Sequence, residues 1–205
     1  MNIQLDDISK KFGKEWIFKH VNYQFESNNK YAIIGHNGSG KSTLLKIIAN
    51  GLMPTSGKIA YSIPNKKSLT EFEINQQIAF TAPYISIIEE FSLREIYNFH
   101  TSLKKLAIED FKAFIQLIQL EKHQDKLLKN FSSGMKQRVK LALTILSDTQ
   151  ALLLDEPTSN LDTTGIEWYH KLIEQYSNNR IIIIGSNQAH EYSFCNAQIN
   201  VLDFK

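Results

Sequence analysis

Cysteine is almost absent: Cys195 is the only one in 205 residues. No disulfide can close within the chain, which fits a reducing compartment such as the cytoplasm. No apolar run approaches the ~18 residues that cross a bilayer, so any membrane role must come through a partner. The opening stretch, Met1 to Phe12, carries acids early and has no apolar segment, unlike a secretory signal. Charge of neither sign dominates. Lys plus Arg number 23 against 21 Asp plus Glu, a formal balance of +2. The basic residues are scattered rather than striped, so no nucleic-acid partner is expected. Internal repeats, low-complexity tracts and Pro/Gly-rich linkers are also missing, and the length suits one α/β domain with a small subdomain set into it.

The patterning that is present alternates between two periods. Ile3 and Leu5, then Val21, Tyr23 and Phe25, alternate with polar residues at period two and predict strands. Tyr31 to Ile34, Ala151 to Leu154 and Ile181 to Ile184 are short continuous apolar runs, as expected of strands buried on both faces. Between them the spacing becomes helical: Ser42 to Asn50, much of 92–128, Met135 to Leu146, and a segment around Ile166 to Tyr176. Strands alternating with helices predict a doubly wound α/β core with a parallel sheet.

Three of the nine glycines crowd into Gly35-His-Asn-Gly-Ser-Gly-Lys-Ser-Thr43. This matches the phosphate-binding pattern G-x-x-x-x-G-K-[ST], and it lies between a buried-strand run and a helix, the context that the pattern requires. Gly35, Gly38 and Gly40 let backbone N–H groups converge on phosphate oxygens, and the following helix turns its positive end to them. Lys41 can reach the β- and γ-phosphates, and the Ser42 hydroxyl can ligate Mg²⁺. His36, Asn37, Ser39 and Thr43 complete the nucleotide-binding stretch, with His36 at a variable position of it. Ala151 to Pro157 supplies two acids at the end of a buried run. Asp155 is placed to hold the metal's hydration shell and Glu156 to polarise an attacking water.

With Phe131-Ser-Ser-Gly-Met-Lys-Gln-Arg138 the chain resembles the ABC ATPases, whose signature is leucine, serine, two glycines and glutamine before a basic helix. The resemblance covers essentially the whole chain. Phosphate loop, helical lobe, signature, acidic strand end and the Ser159-Asn-Leu-Asp162 turn follow in the family's order and approximate spacing. It implies a P-loop NTPase core with a parallel sheet, an N-terminal antiparallel β subdomain and a helical subdomain inserted at about 84–130, within one ATPase domain spanning 1–205. It implies ATP and Mg²⁺ as ligands and ATP hydrolysis that powers an ABC transporter. The expected partners are a transmembrane permease subunit on a separate chain and a second ATPase subunit, identical or not, paired head to tail. The expected location is cytoplasmic, peripheral on the inner face of the cell membrane. In that arrangement Ser132 and the Gly134 backbone face the partner's γ-phosphate, and Asp162 crosses the interface to help place the water. Phe12 matches the aromatic that stacks on adenine, with Trp16 a nearby competitor. The apolar stretch Tyr84 to Phe91 falls where the family receives a short helix of the membrane subunit.

The chain also departs from the family. Pro83 stands where a glutamine ligates Mg²⁺ and senses the γ-phosphate. Ser133 replaces a signature glycine, and Met135 replaces its glutamine. Asn187 takes the place of a histidine that contacts the γ-phosphate, with His190 three residues on as the rival. Two other readings remain open at this stage. One is a soluble ABC protein acting on ribosomes or DNA, against which the missing second ATPase half and missing coiled coil argue. The other is a subunit that binds ATP and barely turns it over, against which Glu156 argues.

Overall fold

The structure, a computed structural model, describes residues 1–205. Two strands open the chain, β1 (Asn2–Phe12) and β2 (Glu15–Glu26), and pair as an antiparallel hairpin. After β3 (Lys30–Ile34) and helix α1 (Lys41–Ile48), strand β4 (Ser56–Ser62) joins the free edge of β1. A short helix α2 (Glu71–Gln77) leads into β5 (Ile78–Thr81). Helices α3 (Leu93–Leu103), α4 (Phe111–Leu117) and α5 (Ser133–Leu146) follow, then β6 (Ala151–Asp155), α6 (Thr163–Tyr176), β7 (Ile181–Gly185) and β8 (Ala197–Asn200). The second sheet has the order β5-β6-β7-β3-β8, and β6, β7, β3 and β8 pair in parallel.

The chain divides into two compact units. The first comprises residues 1–80, 149–156 and 179–205. Its apolar residues obey the alternation read from the sequence: Ile3, Leu5, Val21 and Phe25 are fully enclosed, together with Ile33 and Ile183 of the parallel sheet and Leu44, Leu45, Ile47 and Ile48 of α1. Each such side chain contributes roughly 1.5–3 kcal/mol by leaving water. Strands β6 and β7 are buried at every position, so their sequences read as unbroken apolar runs and not as alternation.

The second unit comprises residues 81–148 and 157–178. Its helices start where a side chain can satisfy the first free N–H groups. Ser92 and Glu95 form a reciprocal capping box on α3, and Asp110 accepts from the Ala113 N–H on α4. Tyr97 packs its ring against Phe111 and Phe114, at centroid separations of 5.3 and 5.0 Å. Helices α5 and α6 begin at Ser133 and Thr163, two and three residues before the apolar periodicity becomes visible, because their caps, Ser132 and Asp162, are polar. Nothing in the periodicity points to α2, in which only Ile74 is buried, or to the edge strand β8.

Candidate functional site: a phosphate-binding loop at the carboxyl ends of parallel strands

In the first unit the loop 35–40 joins β3 to α1, as the strand–loop–helix reading required. Gly35, Gly38 and Gly40 adopt φ of 150, 77 and 113°, a region that other residues rarely enter. Gly40 has a second reason to be glycine. A Cβ there would lie 2.6 Å from Ile17 Cγ2 and 3.3 Å from Phe18 Cδ1, so the loop can rest on β2 only without a side chain. Lys41 opens α1 and is nearly enclosed, with 4% of its surface accessible. Its Nζ donates to the carbonyls of Gly35 (2.9 Å) and His36 (3.1 Å), which holds the ammonium against the loop. His36, Asn37 and Gly38 are exposed, whereas Ser39 is buried and its hydroxyl oxygen has no hydrogen-bond partner. Ser42 and Thr43 stand half-exposed on the first turn of α1.

The sheet register carries the acids to the same end. Ile33 of β3 pairs with Gly185 of β7, and Gly185 pairs with Asp155 of β6. Asp155 is therefore in one row with the residue that precedes the loop by two, at the carboxyl ends of the strands, where open α/β sheets bind ligands. It is 1% exposed. Glu156 follows with φ of 43°, in the left-handed region, and its N–H donates to the Gly185 carbonyl at 2.9 Å. A glutamate held in that conformation costs about 1–3 kcal/mol, a strain typical of functional turns.

Asn187 lies just beyond β7, and its Nδ2 donates to Asn37 Oδ1 at 2.9 Å. The structure thus brings a residue near the chain's end onto the phosphate loop across 150 positions. His190 sits in a short 3₁₀ turn, Ala189–Glu191, and is exposed. Phe12 is 52% exposed near the tip of the β1–β2 hairpin, with the Lys10 ammonium 5.0 Å from its ring centroid. Phe12 pairs with Glu15, and Lys10, two positions earlier on the same face of β1, pairs with Phe18, whose ring lies beside Gly40. Trp16 pairs with Lys11 on the opposite face and has the Lys11 and Lys19 ammonium groups each 5.2 Å from its ring. That division favours Phe12 over Trp16 as a platform beside the loop.

The remaining predicted residues, Ser132, Gly134 and Asp162, come together in the second unit, where they line one shallow cavity of about 410 Å³ with Met135 and Arg138. Ser132 caps α5 by accepting from the Met135 N–H (3.2 Å), so the remaining N–H groups of that first turn are available to an anion. Asp162 caps α6, accepting from the Gly165 N–H (2.8 Å) and the Thr164 hydroxyl (2.9 Å). Those two bonds, aided by Arg138, hold its carboxyl below the usual carboxylate range. Gly134 lets two segments meet: a Cβ there would stand 2.9 Å from the Asn160 carbonyl oxygen. Gln137, 2% exposed, donates to the Pro157 carbonyl at 2.7 Å, and Lys140 donates to the carbonyls of Ala82 and Ile85. Neither was picked out from the sequence. They share a face of α5 with Ser133, Lys136 and Thr144, so the sequence pattern does not set them apart from solvated residues.

A glycine-lined loop between a parallel strand and a helix, with a buried acid in register two strands away, defines a P-loop nucleotide-binding protein. Comparison with known proteins narrows the class. Residues 18–159 match the family model described as ABC transporter, and the chain belongs to that family. The uncharacterised ABC transporter ATP-binding protein YybJ of Bacillus subtilis is 30% identical, over 97% of this chain and 92% of its own length. The zinc transport system ATP-binding protein AdcC of Streptococcus pneumoniae is 33% identical, over 83% of this chain and 76% of its own. A solved dimer of the ATP-binding cassette MJ0796, in a post-hydrolysis state with ADP and Pi, superposes with a TM-score of 0.81 over 97% of this chain and 93% of that one. Identity there is 22%, so it speaks for the fold. No helix of the chain is long and apolar enough to cross a membrane.

Proposed function

We propose that the chain is the ATP-binding and ATP-hydrolysing subunit that drives an ABC transporter through a separate membrane subunit. The observation that carries this reading is the row Ile33–Gly185–Asp155 ending beside the loop Gly35 to Thr43. Backbone N–H groups of the loop and the start of α1 would bind the phosphates. Lys41, already held at the loop by two carbonyls, exchanges those bonds for the β- and γ-phosphate oxygens. The donor set at Ser42 and Asp155 consists of oxygen alone, a hydroxyl and a buried carboxylate, which fits Mg²⁺. Held by Ser42 and Asp155, Mg²⁺ would supply positive charge against the negative charge that develops on the phosphates during hydrolysis. Pro83 adds no ligand. Glu156 accepts the proton of the attacking water, and Asn187 donates its amide to the γ-phosphate. Phe12 stacks on adenine.

A single copy holds each half of such a site in a different unit. The reading therefore includes a second ATPase subunit, paired head to tail, whose Ser132, Gly134 and Asp162 complete the nucleotide site. The permease subunit places the chain at the inner face of the membrane, and Tyr84 and Ile88, 47 and 38% exposed, belong to the segment that meets it. The experiment is Glu156→Gln, which keeps shape and removes the base. Turnover falls by roughly 10²–10⁴ while ATP still binds, and light scattering shows the 23.6 kDa mass doubling with ATP. Unchanged turnover in this variant moves the base elsewhere.

A further inference from the structure

Segment 82–89 in the second unit contains Pro83, a residue with no side-chain donor or acceptor, yet the segment is fastened at both ends by one helix. Pro83 and Tyr84 form a turn closed by the Ile85 N–H donating to the Ala82 carbonyl at 3.1 Å. Lys140, on α5, donates from Nζ to the same Ala82 carbonyl at 3.3 Å and to the Ile85 carbonyl at 3.2 Å. The two carbonyls that flank the turn thus share one ammonium. One helical turn earlier, Lys136 pairs with Glu89 at 2.7 Å. Residues four apart lie on the same helix face, so α5 clamps both ends of the segment with a single stripe. The helix begins at Ser132, and Lys140 stands about 12 Å along it, at 1.5 Å per residue.

An ammonium on a flexible stem normally stays hydrated at the surface. Lys140 is half-buried, desolvation lowers its pKa, and both its acceptors are uncharged carbonyls. A desolvated cation shared between two carbonyls fixes a distance.

We infer that Lys140 is a positioning residue: it ties the Ala82–Ile85 turn to the signature helix, so the turn and Ser132 move as one body although position 83 has no side chain to make the link. The inference rests on the reading of the chain as one half of an ATP-bridged pair. It assigns to a backbone clamp the link between the segment expected to meet the membrane subunit and the signature that faces the partner's nucleotide.

The test uses the full chain carrying Glu156→Gln, in which ATP is bound and retained. Lys140→Met and Lys140→Arg are added separately. ATP affinity of the unpaired chain is read by fluorescence at high dilution, ATP-driven pairing by light scattering, and folding by thermal melting. Lys140→Met raises the ATP concentration for half-maximal pairing about tenfold, the loss of roughly one charge-assisted hydrogen bond. Affinity of the unpaired chain stays within twofold, and Lys140→Arg recovers most of the pairing. Unaltered pairing in a folded Lys140→Met overturns the inference. So does a pairing defect that Lys140→Arg fails to recover. If the Glu156→Gln parent itself never pairs with ATP, the functional reading fails first, and Lys140 is not reached.

Discussion

Replacing Asn187 with alanine separates a structural contact from a catalytic one, because the two predict effects of very different size. In the structure Asn187 Nδ2 donates to Asn37 Oδ1 at 2.9 Å, and the residue is exposed. An exposed neutral hydrogen bond contributes at most about 1 kcal/mol. For a chain of this length that shifts the melting midpoint by no more than about 4 °C. If the amide instead donates to the γ-phosphate as charge builds up there, its loss costs roughly 10²-fold in turnover, or about 2.7 kcal/mol in the barrier. ATP affinity changes little, since the contact strengthens only in the transition state. Steady-state kinetics, an ATP titration and a melting curve on one preparation give all three numbers. Asn187→His adds a titrating group beside the loop, so its pH–rate profile gains a step near ~6.5, with higher turnover on the acid side, where the ring is a cation. The reasoning is refuted if Asn187→Ala turns over like the parent while His190→Ala abolishes activity.

Three further outcomes follow from the geometry. Lys41→Ala lowers ATP affinity by about 10- to 100-fold in calorimetry, since a charge-assisted bond worth roughly 1.5–3 kcal/mol is removed. Parent-like affinity would mean that the loop is not the phosphate site. Gly134→Ala puts a Cβ 2.9 Å from the Asn160 carbonyl, which must move. ATP-driven pairing of the Glu156→Gln chain is then weakened in light scattering, although alanine itself favours the helix by about 1 kcal/mol, and undiminished pairing would count against the close approach. Burial, with a smaller contribution from Lys104, lowers the His100 pKa to about 4, and its Nε2 lies 2.9 Å from Ser147 Oγ. Because the folded value is below the unfolded ~6.5, the neutral ring's contribution is complete above pH 6.5 and is lost as pH falls from 6.5 to 4. The loss is about 1–3 kcal/mol after allowing for partial exposure, and melting curves across that window should flatten in His100→Gln. Equal slopes in both proteins would exclude His100 as the source.

What could be read from the sequence was local. The phosphate loop is nine consecutive residues, β6 and β7 are unbroken apolar runs, and Ser132 and Asp162 are caps that stand next to the helices they start. What could not be read depends on register and on distant pairs. The hairpin register puts Phe12 and Trp16 on opposite faces, and the pattern of either strand alone does not contain it. The bond from Asn187 to Asn37 joins two loops that are neighbours only because β7 and β3 pair. Helix α2 escaped for a different reason. Its Thr70-x-x-Glu73 capping box was legible, but with a single buried residue there is no apolar stripe for periodicity to detect. Lys140 is the sharpest case. As one of several charges on α5, beside Lys136 and Arg138, it reads as a solvated residue, and only the fold shows the two backbone carbonyls that accept from it. Motifs name the groups that touch the nucleotide, because that chemistry constrains residue type at fixed spacing. The groups that hold those motifs in place act on backbone carbonyls, which every residue carries. Such contacts leave no pattern in the sequence.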